Sequence, residues 1–341
     1  MIERMYTFNM NKPVPVHILA GFLGSGKTTL LTQALDYYKE LGQKPAVLMN
    51  EIGDVNLDGM QIGSEVPMTE MLSGCICCTI RGDLGMAIRN IVRDFCPDVL
   101  FIESTGAANP LEIIDGVTDA SLMDRIELKS VVTVADSAHL QHQIKKGKGK
   151  TLRLMQDQLR SASYILLNKT DLVSSEDQAE LVQQIRSWNA VAPIEATIKC
   201  RIDHSLFDRL DGDAINHITA NEEDGGCTHK HDDNHVHDHS CGHHHSHDHV
   251  MAYTHFFEKP IDSERFEELL TKLPAEVYRA KGILRFTDTA SRFMFQFAYR
   301  EADFVKINPQ GEVQDVAVFI GEHFSKEAIR EKLLDLERTS G

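Results

Sequence analysis

The stretch GFLGSGKT, Gly21 to Thr28, decides how the chain must fold around it. It fits the pattern G-x-x-x-x-G-K-[ST], in which glycines let backbone N–H groups converge on a phosphate and the following helix adds a favourable dipole. That mechanism requires a buried strand leading into the loop and a helix leaving it. VPVHILA (14–20) is almost wholly apolar, and TTLLTQALDYYKEL (28–41) sets Leu31, Leu35 and Tyr38 at helical spacing with Gly42 as C-cap. Gly21, Gly24, Ser25, Gly26, Lys27, Thr28 and Thr29 then form a phosphate cradle. Lys27 reaches the β- and γ-phosphates, and the Thr28 hydroxyl binds Mg2+.

Outward from this loop the pattern repeats. PAVLMNE (45–51), DVLFIES (98–104), SVVTVAD (130–136) and SYILLNK (163–169) read as buried strands, nearly continuous in apolar residues as a parallel sheet requires. SSEDQAELVQQIRSW (174–188) reads as a helix, with serine at its start and Glu176 and Asp177 in the first turn. The expected fold class is α/β, a doubly wound, mostly parallel sheet over residues 14–220, after an N-terminal tail, 1–13. The composition breaks at 221, and 221–250 reads as a His-rich linker without apolar periodicity. Folding signals resume over 251–341. MAYTHFFEKPI, ILRFTD, RFMFQFAY and VAVFIGE read as strands, DSERFEELLTKL and SKEAIREKLLDLE as helices, together a small α+β domain.

A net charge of −16 argues against non-specific nucleic-acid binding and is compatible with handling cations. The charged start, MIERMYTFNMNKP, lacks a signal-peptide apolar run, and no stretch approaches membrane-spanning length. The expected location is the cytoplasm, with no membrane partner and with thiols reduced. Seven cysteines, odd in number and clustered, fit a disulfide framework poorly.

Asn168-Lys169-Thr170-Asp171 follows the strand SYILLN and has the N-K-x-D form. An aspartate there accepts from the guanine N1–H and exocyclic amine, a donor pair that adenine lacks, so the expected nucleotide is GTP. Glu103 ends the strand DVLFI, where a P-loop protein carries its second acidic group, and could hold Mg2+ through water or position the attacking water. Gly106 is followed by Ala107 and Ala108, with no glutamine to orient water, so slow intrinsic hydrolysis is expected. Glu51 and Asp54 in NEIGDVNLDG are candidates for helping catalysis and for Mg2+, as is Asp58; each is also readable as a solvated turn residue.

In SGCICCTI, Cys75, Cys77 and Cys78 fall within four positions. Such thiolate density suits Zn2+ or another soft-to-borderline cation, and an extended or turn backbone can aim two or three sulfurs at one point. An incomplete shell suits a site that must release its metal; packing and redox roles remain alternatives. Cys96 and Cys200 stand singly in apolar surroundings and are expected in the core. Between His229 and His249 lie ten of the chain's seventeen histidines, near Cys227 and Cys241. His235, His237, His239, His243 and His245 are among candidates for weak, exchangeable sites for Zn2+, Ni2+ or Co2+.

GFLGSGKTTLL, NEIGDVNLD, LSGCICC, IESTGAANP, VADSAH and NKTD, followed by RAKGILRF and VFIGE, together resemble the CobW-like family of metal-chaperone P-loop GTPases over nearly the whole chain. The resemblance implies that Cys75, Cys77 and Cys78 are the metal site, that GTP and metal binding are coupled, and that zinc or cobalt passes to a client metalloprotein. It leaves His139 as an auxiliary ligand or a structural residue. A zinc buffer with incidental GTP binding is the rival reading. A nucleotide kinase or ATPase is disfavoured by Asp171.

Overall fold

The computed structural model describes residues 12–50, 66–70, 80–106, 108–212, 250–309 and 313–339. Glu51, Asp54, Asp58, Cys75, Cys77, Cys78, Cys227, Cys241 and the histidines of 229–249 lie outside them.

The first sheet contains β1 (Val14–Ala20), β2 (Pro45–Asn50), β3 (Met68–Glu70), β4 (Val99–Ser104), β5 (Ile126–Asp136), β6 (Tyr164–Asn168) and β7 (Ile194–Ala196). All its pairings are parallel, in the order β3-β2-β4-β1-β5-β6-β7. Around it lie α1 (Lys27–Glu40), α2 (Ile80–Phe95), α3 (Pro110–Ala120), α4 (Ser137–Lys146), α5 (Lys150–Arg160), α6 (Ser175–Trp188) and α7 (Ser205–Asp211). Val16 and Ile18 of β1 pack towards α2 and α3, and Leu19 packs towards α1 and α7. Burial on both faces explains the unbroken apolar run. β1 sits between β4 and β5, where the strand order reverses, so the loops after these three strands open together at the carboxyl edge.

The polar exception in β1 is His17, which is fully buried. Its Nδ1 lies 2.8 Å from Ser130 Oγ on β5, and its Nε2 lies 2.9 Å from Asp211 Oδ1 at the end of α7. The ring thereby ties α7 to the sheet. Burial alone would raise the Asp211 carboxyl, but hydrogen bonds from His17 and Tyr38 outweigh it and hold it below its ordinary range.

The second sheet is antiparallel, with β8 (Val250–Phe257), β9 (Val277–Arg285), β10 (Arg292–Ala298), β11 (Glu301–Ile307) and β12 (Asp315–Glu322) in the order β11-β10-β9-β12-β8. One face packs on α8 (Ser263–Thr271) and α9 (Lys326–Thr339) through Ala317 and Phe319. The opposite face presents Val250, Ala252, Ile283, Val316, Val318 and Ile320 to α2, α3 and β5, in one continuous core. VAVFI therefore reads as an unbroken apolar run because both faces of this sheet are covered.

Two sequence expectations need correction. β11 was not anticipated, because EADFVKI is a largely exposed edge strand and carries charge on both faces. It pairs with β10 through a turn whose Tyr299 and Arg300 have φ of 53° and 66°, with no glycine or asparagine to announce it. Cys96, expected in the core, is exposed just past α2, whereas Cys200 is buried as expected. Among the described residues, no helix is long and apolar enough to cross a membrane.

A Cβ at Gly282 of β9 would fall 2.2 Å from the Val316 carbonyl oxygen. Gly282→Ala is therefore expected to lower stability by about 1–3 kcal/mol, read from urea denaturation. The depressed Asp211 carboxyl contributes stability above its unfolded pKa of about 3.9, and that contribution is lost as pH falls through the lower folded value. Asp211→Asn is expected to be less stable than the parent at pH 7, with the gap narrowing in the same assay as pH falls below the unfolded value.

Candidate functional site

At the end of β1 the chain turns sharply. Gly21, Gly24 and Gly26 take φ of 132°, 74° and 117°. A Cβ on Gly21 would meet the Val134 carbonyl oxygen at 2.2 Å, and one on Gly26 would meet Cys200 Sγ at 2.5 Å and Asn168 Nδ2 at 2.6 Å. These two glycines are thus required by both conformation and space.

α1 starts at Lys27 with no side-chain cap and no acidic residue in its first turn. α3, α4, α6 and α8 are capped by Asn109, Asp136, Ser174 and Asp262, whereas α5 and α7, like α1, have no side-chain cap; only at α1 does the glycine loop lead into the helix beside the cavity. The exposed amide end of α1 is suited to an anion. Beside it lies a cavity of about 320 Å³, lined among others by Gly24, Lys27, Thr28, Glu103 and Gly106. Buried Ser25 Oγ has no hydrogen-bond partner among the described residues, which a phosphate oxygen could supply.

Lys27 is buried and curls back on its own loop, donating to the carbonyls of Gly21 (2.8 Å) and Phe22 (3.2 Å). Thr28 Oγ1 donates to Glu103 Oε1 at 3.2 Å. The register sets Glu103 of β4 beside Leu19 of β1, which brings this carboxylate to the first turn of α1. A hydroxyl and a carboxylate converging at a phosphate cradle fit a hard divalent cation such as Mg2+.

The N-K-x-D residues divide their roles. Asn168 is 2 % exposed. Its Nδ2 donates to the Ser25 carbonyl at 2.7 Å, and its Oδ1 accepts from Cys200 N–H at 2.9 Å and Thr197 Oγ1 at 3.2 Å. Its side chain is therefore spent on joining the P-loop to residues 197–200. Lys169 has φ of 59° and pairs with Asp136, the cap of α4, at 2.7 Å. Asp171 is exposed on a single turn of tighter helix, Thr170–Leu172, facing solvent where a base could reach it.

Three contributors were missed by sequence reasoning. Gln158 of α5, 1 % exposed, donates to the carbonyls of Gly106 (3.2 Å) and Ala108 (3.4 Å). Thr197 and Cys200 anchor Asn168; the one available signal was their place at the end of the next parallel strand. Burial pushes the Cys200 thiol up to about 12, against the pull of Lys169, so it packs as a neutral group. His139 sets its ring edge-on to Phe22 at 5.6 Å, and its Nε2 lies 3.1 Å from Gln143 Nε2. Among the described residues, no group of three or more His, Cys, Asp or Glu is placed to hold a metal ion.

With this geometry in view, the class is a P-loop nucleotide-binding protein. Residues 15–195 match the family model for the CobW/HypB/UreG nucleotide-binding domain, and 250–337 match that for the cobalamin synthesis protein cobW C-terminal domain. The chain belongs to the CobW/HypB/UreG family. It is 34 % identical over 240 residues to the zinc-regulated GTPase metalloprotein activator 1 of Dictyostelium discoideum, covering 57 % of this chain and 49 % of that protein. This chain thus spans about half the length of that relative. Against the zinc chaperone YjiA of Escherichia coli it is 28 % identical over 341 residues, covering 96 % and 99 % of the two chains. The crystal structure of Zn(II)-bound YjiA GTPase from E. coli aligns with a TM-score of 0.45 at 25 % identity, covering 95 % of this chain and 99 % of that one.

Asn168→Ala is expected to weaken GTP and GDP binding together by tenfold or more, without changing base preference, because it loosens the P-loop. Asp171→Asn is expected to lose guanine preference while leaving the P-loop intact. Titration with fluorescent guanine, xanthine and adenine nucleotides distinguishes the two.

Proposed function

We propose that this protein is a GTP-hydrolysing metallochaperone that binds zinc at Cys75, Cys77 and Cys78 and passes it to a client metalloprotein under nucleotide control. The observation that carries the reading is the uncapped start of α1 beside Thr28 and Glu103, with Asn168 holding the N-K-x-D loop against the same P-loop. The names of the relatives, zinc chaperones and a zinc-regulated GTPase activator, support zinc as cargo. Cobalt or nickel at the same thiolates is the alternative cargo.

In this reading the amides of Gly24 to Thr28 receive the phosphates, and Lys27 turns from the Gly21 and Phe22 carbonyls to the β- and γ-phosphates. Thr28, with Glu103 or Asp54, would hold Mg2+, which would offset charge on the transferred group. Glu103 and Glu51 are the candidates for orienting the attacking water, and Asp171 selects guanine. The P-loop domain, 14–220, carries the nucleotide, and the segment 221–250 adds exchangeable histidine sites. The domain over 251–341 receives the client. The site of action is the cytoplasm.

In this reading bound Mg·GTP would order the Glu51–Asp58 segment through the γ-phosphate, and that ordering would assemble the thiolates that follow. Linkage then makes metal tighten GTP binding by the same factor. Metal affinity, measured by competition with a chromophoric chelator on a variant lacking residues 227–249, is expected to rise at least tenfold (about 1.4 kcal/mol) from GDP to a non-hydrolysable GTP analogue. Equal affinity in both states would leave a zinc buffer with incidental nucleotide binding.

A further inference from the structure

The RAKG segment of β9, Arg279 to Gly282, faces the P-loop domain. Successive strand residues alternate between faces, so Arg279, Lys281 and Ile283 share one side, and Ile283 lies in the core common to both sheets. Arg279 Nη1 donates to both carboxylate oxygens of Asp115, at 2.8 and 3.0 Å. Lys281, only 4 % exposed, pairs with Asp119 and donates to the Asp115 carbonyl at 3.3 Å. Asp115 and Asp119 are one helical turn apart on α3, so two cations on one strand meet two carboxylates on one helix.

Adhesion alone does not call for this arrangement. With the Arg279 side chain 34 % and that of Asp119 44 % exposed, each pair is partly screened by solvent and adds little adhesion of its own. Charged pairs do specify which residues meet, and at what register, more sharply than apolar contacts. What they register here is α3, whose other end begins just after Gly106. Gly106 packs on the P-loop, where an added Cβ would lie 2.6 Å from Leu23 N, and its carbonyl is held by Gln158. The 11-residue helix is about 16 Å long, and its Ile113, Ile114 and Val117 are buried in the shared core. It is a stiff element that begins four residues after Gly106, which lines the cavity, and whose second half is clamped by β9.

We propose that Arg279 and Lys281 are positioning residues of the nucleotide site: through α3 they set the Gly106 loop, so that GTP turnover in the first domain depends on how the second domain is docked. This rests on the GTPase reading above. It also gives a binding partner on the second domain a physical route to the nucleotide.

The test is steady-state GTP hydrolysis by the full chain, with kcat and KM separated, beside GDP affinity and thermal melting. Arg279→Met and Lys281→Met keep the aliphatic packing and remove one cation each; Asp115→Arg with Arg279→Asp reverses one pair. The single variants are expected to lower kcat at least fivefold, with KM and GDP affinity within twofold. The reversed pair is expected to recover kcat to within twofold of the parent. Folded variants with unchanged kcat would overturn the proposal and leave an adhesive contact, as would failure of all three variants to fold. If Lys281→Met alone unfolds, Arg279→Met, at a side chain 34 % exposed, decides the matter by the same criteria. Absence of turnover in the unaltered chain would overturn the GTPase reading and this proposal together, an outcome distinct from variant behaviour.

Discussion

The nucleotide site depends on one buried amide. Asn168 donates to the P-loop at Ser25 and accepts from Thr197 and Cys200, so three loops from β1, β6 and β7 share one side chain. The loops after β6 and β7 also share backbone hydrogen bonds, Thr197 N–H to Leu167 O and Thr170 N–H to Thr197 O, and Asn168 extends that pairing to the P-loop. A buried amide left half-satisfied would cost about 1–3 kcal/mol, which makes the arrangement close to all-or-none. The glycine at position 26 belongs to the same constraint, because any Cβ there would collide with Asn168 and Cys200. The uncapped start of α1, the feature suited to phosphate, directly adjoins this contact.

The second constraint is that α3 serves several neighbours at once. α2 packs against it where Gly116 leaves room for Leu84, since a Cβ at Gly116 would lie 2.6 Å from Leu84 Cδ2. Arg89 and Arg93 of α2 both pair with Asp124, just beyond the end of α3. β9 holds it through Arg279 and Lys281, and the Arg125 guanidinium lies 4.8 Å from the Phe256 ring of β8. With this ring of contacts and a common apolar core, the two sheets are joined through packed side chains. A close-packed interior of this kind resists gradual deformation, so movement of α3 must be shared by the elements that touch it.

Much of this was legible in the sequence. The first sheet's main strands announced themselves as apolar runs because both faces are covered, and Ser174, Glu176 and Asp177 announced the start of α6, where Ser174 does accept from Asp177 N–H. The P-loop was legible because its chemistry needs glycine and lysine at set spacing. β11 was not legible, since an exposed edge strand needs no apolar pattern, and its turn uses tyrosine and arginine in left-handed backbone.

By itself, the sequence determined which residue types the chain sets at short spacing: the glycines and lysine of G-x-x-x-x-G-K-T, the N-K-x-D run and a run of thiols. These depend on residue identity and short spacing, which the covalent chain sets. Tertiary structure alone decided what those groups touch. It assigned Asn168 to hold loops together, brought Gln158 to the Gly106 carbonyl across 52 positions of sequence, and set Arg279 against Asp115 across 164. Such contacts arise because burying two sheets on shared helices forces distant polar groups into one low-dielectric space, where each must find a partner.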